Sequence, residues 1–140
     1  MTARAIAEGL FELHQDGTIS LVGGFSPSSG RFHFPLLSCC PYTGATDVEQ
    51  VTLSSAATLW AWTAVTNAPP GYLGPVPFGF GVVELEREQL RVITRLTESD
   101  PSRLAFGQRV RLVAETLPTD RGDPVVTWAF ADATDEAGAA

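Results

Sequence analysis

Few side chains of this chain are suited to acid–base or nucleophilic chemistry. Its histidines are His14 and His33, and its cysteines are the adjacent pair Cys39 and Cys40. Histidine titrates near neutral pH and serves readily as acid or base. His33, however, sits in the apolar stretch Phe32-His33-Phe34 and reads as packed, while His14 sits in the turn His14-Gln15-Asp16-Gly17 and reads as solvated. A nucleophilic thiol needs a neighbouring base, and no spacing supplies one to Cys39 or Cys40. Adjacent cysteines are also badly placed to bridge each other, so both read as inert thiols. Zinc held by His33, Cys39 and Cys40 would lack a fourth ligand. Ser26, in Gly24-Phe25-Ser26-Pro27-Ser28, is not a nucleophile elbow, because the second glycine is missing and proline follows the serine. Gly71, Gly74, Gly79 and Gly81 match neither standard phosphate-loop spacing. The sequence therefore offers no catalytic residue of its own.

Binding residues are more plentiful. Arg87, Arg91, Arg95, Arg103, Arg109 and Arg111 fall close together. Arg91 and Arg95 share one strand face, as do Arg109 and Arg111, because side chains alternate along a strand. They read either as solvated surface balanced by Glu84, Glu86, Glu88 and Glu115, or as an anion-facing patch for phosphate or an acidic partner. Trp60, Trp62, Tyr72, Phe78 and Phe80 read as core, protein interface, or a stacking platform for bases. Gly79 and Gly81 share a strand face, leaving room for a barrel bend or for close approach of a ligand.

The elements that must position these residues are mainly strands. Thr2 is a helix cap, and Ile6, Leu10 and Leu13 recur at helical spacing, so residues 2–13 are expected to form a short helix. Thr18–Val22 reads as a strand. Residues 23–47, punctuated by glycine, serine and proline, read as a loop-rich knuckle with one small hairpin. Five strands follow: Val51–Val65, Phe78–Leu85, Leu90–Leu96, Arg109–Glu115 and Pro124–Phe130. In the first, Ala57, Leu59, Ala61 and Thr63 take one face and Trp60 and Trp62 the other. A helical turn is expected at Ser99-Asp100-Pro101. The small, acidic tail 132–140 reads as disordered. Five short strands with a break between the third and fourth predict a five-stranded Greek-key barrel of the OB type. The expected division is an N-terminal helix over 1–17, a knuckle over 18–47, a barrel over 48–131 and the tail.

Composition narrows the function classes. The chain has 140 residues, a formal net charge of -7, 44% hydrophobic and 18% charged residues, and its nine basic residues are all arginine. Length and composition suit one soluble globular domain with a core of its own. The acidic balance argues against nucleic acid and membrane surfaces as partners, since both draw on excess positive charge. Two cysteines exclude a four-thiolate zinc site and a disulfide-rich scaffold. No apolar run has signal-peptide or membrane-span length, so a cytoplasmic protein is expected.

The order of several motifs resembles the zinc-ribbon/OB-fold acyl-CoA-associated family catalogued as domain of unknown function thirty-five. Ala7-Glu8-Gly9-Leu10-Phe11 resembles its leading helix, and Phe32-His33-Phe34-Pro35 the step between its two zinc knuckles. Leu59–Val65, Pro75–Leu85 and Phe106–Leu112 resemble its first, second and fourth barrel strands. The family's knuckles read Cys-x-x-Cys-Gly and Cys-Pro-x-Cys-Gly. Here they read Ser26-Pro27-Ser28-Ser29-Gly30 and Cys40-Pro41-Tyr42-Thr43-Gly44. The ligand positions thus hold Ser26, Ser29, Cys40 and Thr43, a degenerate rubredoxin-like ribbon for which no metal is expected.

The resemblance implies a non-catalytic accessory subunit of a thiolase-like acyl-CoA enzyme (thiolase, acyltransferase or retro-aldolase). The chain would join a hetero-oligomer, bind no cofactor tightly, and share an acyl-CoA substrate with its partner. Trp62, Tyr72, Phe78 and Phe80 are assigned to the partner or acyl chain by their place around the 69–77 loop, not by a family motif. Arg91, Arg95, Arg109 and Arg111 are assigned likewise to CoA phosphates. The alternative is a stand-alone OB module for a small ligand or single-stranded nucleic acid.

Overall fold

Alternating strand sequences bounded by turn residues organise the chain. The computed structural model describes residues 4–7, 9–119 and 122–133. Its strands are β1 (Arg4–Ala5), β2 (Phe11–Leu13), β3 (Ile19–Ser26), β4 (Arg31–His33), β5 (Glu49–Thr52), β6 (Ala56–Val65), β7 (Phe78–Leu85), β8 (Leu90–Leu96), β9 (Arg109–Leu117) and β10 (Val125–Asp132). The β7 and β8 bounds coincide with those read from sequence. Strict alternation buries Gly79, Gly81, Val83 and Leu85 and turns Phe78, Phe80, Val82 and Glu84 outward. Gln89, at a φ of 53°, closes the turn between the two strands.

Five strands close into a barrel. β7 pairs antiparallel with β6 and β8; β9 pairs antiparallel with β6 and β10; β10 meets β8 in parallel at Phe130 and Leu96. Closure pairs each barrel strand on both sides along part of its length, leaving the Val125–Val126 stretch of β10 open to β1. Leu59, Val83, Leu85, Val92, Leu96, Val110, Leu112 and Phe130 fill the interior. Between β8 and β9 there is only a short 3₁₀ turn, Pro101–Arg103. The Asp100 carboxylate caps it by accepting the Ser102 N–H at 3.0 Å, in keeping with the expected turn.

A smaller sheet packs beside the barrel. β3 runs further than its sequence suggests, through Gly23-Gly24, and pairs with β2, β4 and β5. The two glycines are needed there. A Cβ on Gly24 would overlap the His33 ring, and one on Gly23 would press on Leu53. Phe11, Ile19, Leu21 and Leu53 of this layer share one apolar core with the barrel. Trp128 meets Phe11 at 6.0 Å and Phe34 at 5.6 Å between ring centroids, which joins the layers further.

Two expectations need correction. The predicted N-terminal helix is absent, and there is no α-helix among the described residues; Thr2, its expected cap, lies outside them. A helix this short is marginal in isolation, and sheet edges compete for its backbone. Ile6 N–H donates to Val126 C=O at 2.8 Å, Val22 N–H donates to Leu10 C=O at 2.9 Å, and Gly9 takes a φ of 86°. The long first strand is also broken. β5 joins the small sheet, and a bulge between Leu59 and Ala61 shifts the β6 register. Ala57 and Leu59 are buried while Thr63 is exposed, so the two tryptophans do not share a face. Asp132 ends β10, and residues 134–140 of the expected disordered tail lie outside the described residues.

The bulge leaves no space over Gly81, where a Cβ would overlap the Ala61 carbonyl oxygen. Backbone cannot rotate away as a side chain can. Gly81→Ala is therefore expected to destabilise the barrel by about 3 kcal/mol, read as a lowered denaturation midpoint with an unchanged slope.

Candidate functional site

The four knuckle positions converge. Two similar turns present them: Ser26 C=O accepts from Gly30 N–H at 2.8 Å, and Cys40 C=O accepts from Gly44 N–H at 2.8 Å. Gly30 (φ 69°) and Gly44 (φ 79°) adopt the left-handed conformation that lets each turn end. The Cys40 thiol, 2% exposed, donates to Ser29 Oγ at 3.6 Å. Thr43 Oγ1 lies 3.1 Å from Ser28 Oγ, whose backbone and hydroxyl both donate to the Asp47 carboxylate. Ser26 Oγ is fully buried and has no other hydrogen-bond partner, so its O–H is free to turn toward the Cys40 sulfur.

The zinc implied by the family resemblance can be tested against this donor set. One thiol and three neutral hydroxyls do not suit zinc, which takes thiolate, imidazole or carboxylate. Among the described residues, no group of three or more His, Cys, Asp or Glu side chains comes together elsewhere.

Hydrogen bonding reshapes the Cys40 thiol instead. Burial pushes its pKa up, but hydrogen bonds from the Ser26, Thr43 and Ser29 hydroxyls and the Tyr42 backbone outweigh burial and bring it down to about 6. The folded state therefore gives up the proton below the ordinary value of 9.0. The resulting stability is fully present above pH 9 and is lost as the pH falls toward 6. Melting temperatures of the native chain are expected to fall across that window, and those of Cys40→Ser to stay flatter. Coincident profiles would refute a thiolate at Cys40. His33 is buried and neutral: burial lowers its pKa, its Nε2 accepts from Leu37 N–H at 3.3 Å, and its stability effect falls below pH 6.5.

The aromatic and arginine residues singled out from sequence divide into distinct groups. Tyr72 and Phe78 stack at 4.9 Å, and the Arg95 guanidinium lies over both. Arg95 also pairs with Glu115, leaving its side chain only 12% exposed, so Arg95 is already committed within the chain. Trp62 packs on the core and donates its indole N–H to Pro101 C=O at 3.1 Å. The bulge has turned it away from Trp60. Phe80 is exposed, and Arg91 covers Trp60 at 4.0 Å from the ring centroid. Arg109 and Arg111 share a face of β9, and Arg91 and Arg95 share a face of β8.

Sequence reasoning missed two exposed apolar residues, Ile93 and Phe106, on either side of Trp60 and Phe80 on the outer face of the barrel. Ile93 (64% exposed) pairs with Val82 across β7 and β8, and Phe106 (70% exposed) lies on the other side of β6, where Gly107 N–H donates to Leu59 C=O. The available signal was an isoleucine in outward register between Arg91 and Arg95. Glu88 was also missed. Read as a turn residue, it is buried, and its carboxylate accepts the Ser54 N–H and O–H, each at 2.9 Å.

A closed five-strand barrel with a hairpin layer on its flank defines an OB-fold protein. Residues 50–115 match the family described as ChsH2, C-terminal OB-fold domain. The matched segment runs from within β5 to within β9, and over it the chain is similar to that OB-fold family. A solved structure titled "Ltp2-ChsH2(DUF35) aldolase" shares the fold, with a TM-score of 0.60 and 23% identity over 81% of this chain and 85% of that one. No curated protein matches the chain. No helix among the described residues is long and apolar enough to cross a membrane.

Proposed function

We propose that this chain is a non-catalytic accessory subunit that docks on a thiolase-like acyl-CoA enzyme in the cytoplasm and helps to shape its acyl-CoA channel. The observation that carries this reading is the outer face of β6–β8. There Trp60, Phe80 and Ile93 stand exposed, with Phe106 exposed just beyond β6, and Arg91 lies over Trp60. Protein interfaces concentrate aromatic side chains and arginine, and a contiguous exposed apolar patch commonly marks a docking surface. The neighbour's title, naming an aldolase that contains a ChsH2 chain, supports a carbon–carbon lyase as the partner's reaction type. The catalytic groups then belong to the partner.

Co-expression with a thiolase-like enzyme encoded beside this chain tests the proposal. The expected result is one co-eluting complex whose turnover of acyl-CoA substrate falls when this chain is omitted. Separate elution at micromolar concentrations, with partner turnover unchanged, would refute it.

A further inference from the structure

Arg109 and Arg111 differ from the other well-placed arginines of the barrel. Arg91 covers Trp60, Arg95 pairs with Glu115, and Arg103 lies 3.8 Å from Glu98. Among the described residues, no ion pair or side-chain hydrogen bond is made by Arg109 or Arg111. The Arg111 Nε is nevertheless buried without an acceptor. A buried donor left unpaired is costly, and a charged one more so. Such a group in a native fold calls for an acceptor that the chain does not itself provide.

The surroundings suit an anion. The two arginines stand two residues apart on one face of β9, about 7 Å between Cα atoms, so both can reach one tetrahedral group. Between them and β6 lies a cleft of about 140 Å³, bordered by Thr58, Glu86 and the small Ala56 and Ala57. Glu86 is the one carboxylate on its border, so the lining carries an excess of positive charge in a chain whose net charge is -7. Arg111 also borders a larger groove of about 670 Å³ between β9 and the β2–β3 turn, lined by the hydroxyl residues Thr52 and Ser55 and by Thr18 and Ser20, whose hydroxyls bond Asp16 and His14.

We infer that this cleft is a binding site for the phosphate group of a small phosphorylated molecule. Arg111 and Arg109 hold the phosphate oxygens, and the polar remainder of the ligand lies along the hydroxyl-lined groove. Guanidinium forks bind phosphate through paired, charge-assisted hydrogen bonds. Two of them favour a dianion over a carboxylate. The site stands whether or not the chain docks on an enzyme, because its lining includes none of Trp60, Phe80, Ile93 and Phe106.

Titration of the full chain at constant ionic strength tests this, followed through arginine Nε–H and backbone amide resonances, with inorganic phosphate, acetate and chloride as separate probes. Phosphate is expected to shift the Arg111 Nε–H resonance saturably, with an affinity at least tenfold above that of acetate. Arg111→Gln is expected to weaken phosphate binding at least tenfold, Arg109→Gln severalfold, and Arg103→Gln not at all. Backbone amide spectra report whether each variant is folded; should Arg111→Gln fail to fold, Arg109→Gln carries the test. Equal shifts from chloride or acetate would overturn the proposal, as would phosphate binding unaltered in the folded arginine variants.

Discussion

Joint replacement of Ser26, Ser29 and Thr43 by cysteine is expected to create a zinc site that the native chain lacks, taking up one ion per molecule. The geometry is already in place. Two similar turns aim four side chains at one point, and the Cys40 Sγ to Ser29 Oγ separation is 3.6 Å. Two sulfurs sharing a tetrahedral zinc at about 2.3 Å stand about 3.8 Å apart, so little backbone movement is needed. Structural zinc contributes on the order of 10 kcal/mol in small metal-bound units. The triple variant Ser26→Cys/Ser29→Cys/Thr43→Cys should therefore melt well above the native chain when zinc is present and lose that gain to a chelator. Cobalt should give the intense thiolate-to-metal absorption of a four-sulfur site. The native chain should melt at one temperature with or without chelator. Stoichiometric zinc in the purified native chain, or a variant that stays metal-free, would show that these positions are not arranged as described.

The second large effect concerns the outer barrel face. Ile93→Asp places a charge on the exposed apolar face that Ile93 shares with Phe80 and Trp60. Desolvating that carboxylate against an apolar partner is expected to weaken association at least 100-fold. Because the native side chain is 64% exposed, the fold should be untouched, with thermal stability within about 0.5 kcal/mol of native. Leu37→Asp, an equally drastic change at another exposed apolar residue on the knuckle, should leave association intact. Association unaffected by Ile93→Asp, or lost equally through Leu37→Asp, would place the interface elsewhere.

Much of this was legible in the residues, for local reasons. β7 and β8 alternate cleanly between proline-rich flanks and a charged turn, so pattern alone bounded them. The knuckle turns were legible because Gly30 and Gly44 mark where each must end. What failed depended on distant partners. Residues 2–13 carry helical spacing, but the open edges of β10 and β3 take their hydrogen bonds. The bulge at Trp60 depends on how β7 meets β6, and it separates two tryptophans that simple alternation would place together. Of the candidate site, the convergence of Ser26, Ser29, Cys40 and Thr43 followed from the two turn motifs. The burial of the Arg111 Nε did not, because it depends on β9 lying against β6 and the β2–β3 turn.

The aromatic contact of Trp128 with Phe11 and Phe34 makes the two layers a single cooperative unit. A fragment beginning near residue 48 would strip the cover from that indole and from Leu53, so the barrel cannot be excised as an independent piece. The hairpin sheet, in turn, takes its order from apolar contact with the barrel and does not need an ion at its tip. Heating should melt both layers in one transition, and the emission of Trp128 should report on the hairpins as faithfully as on the barrel.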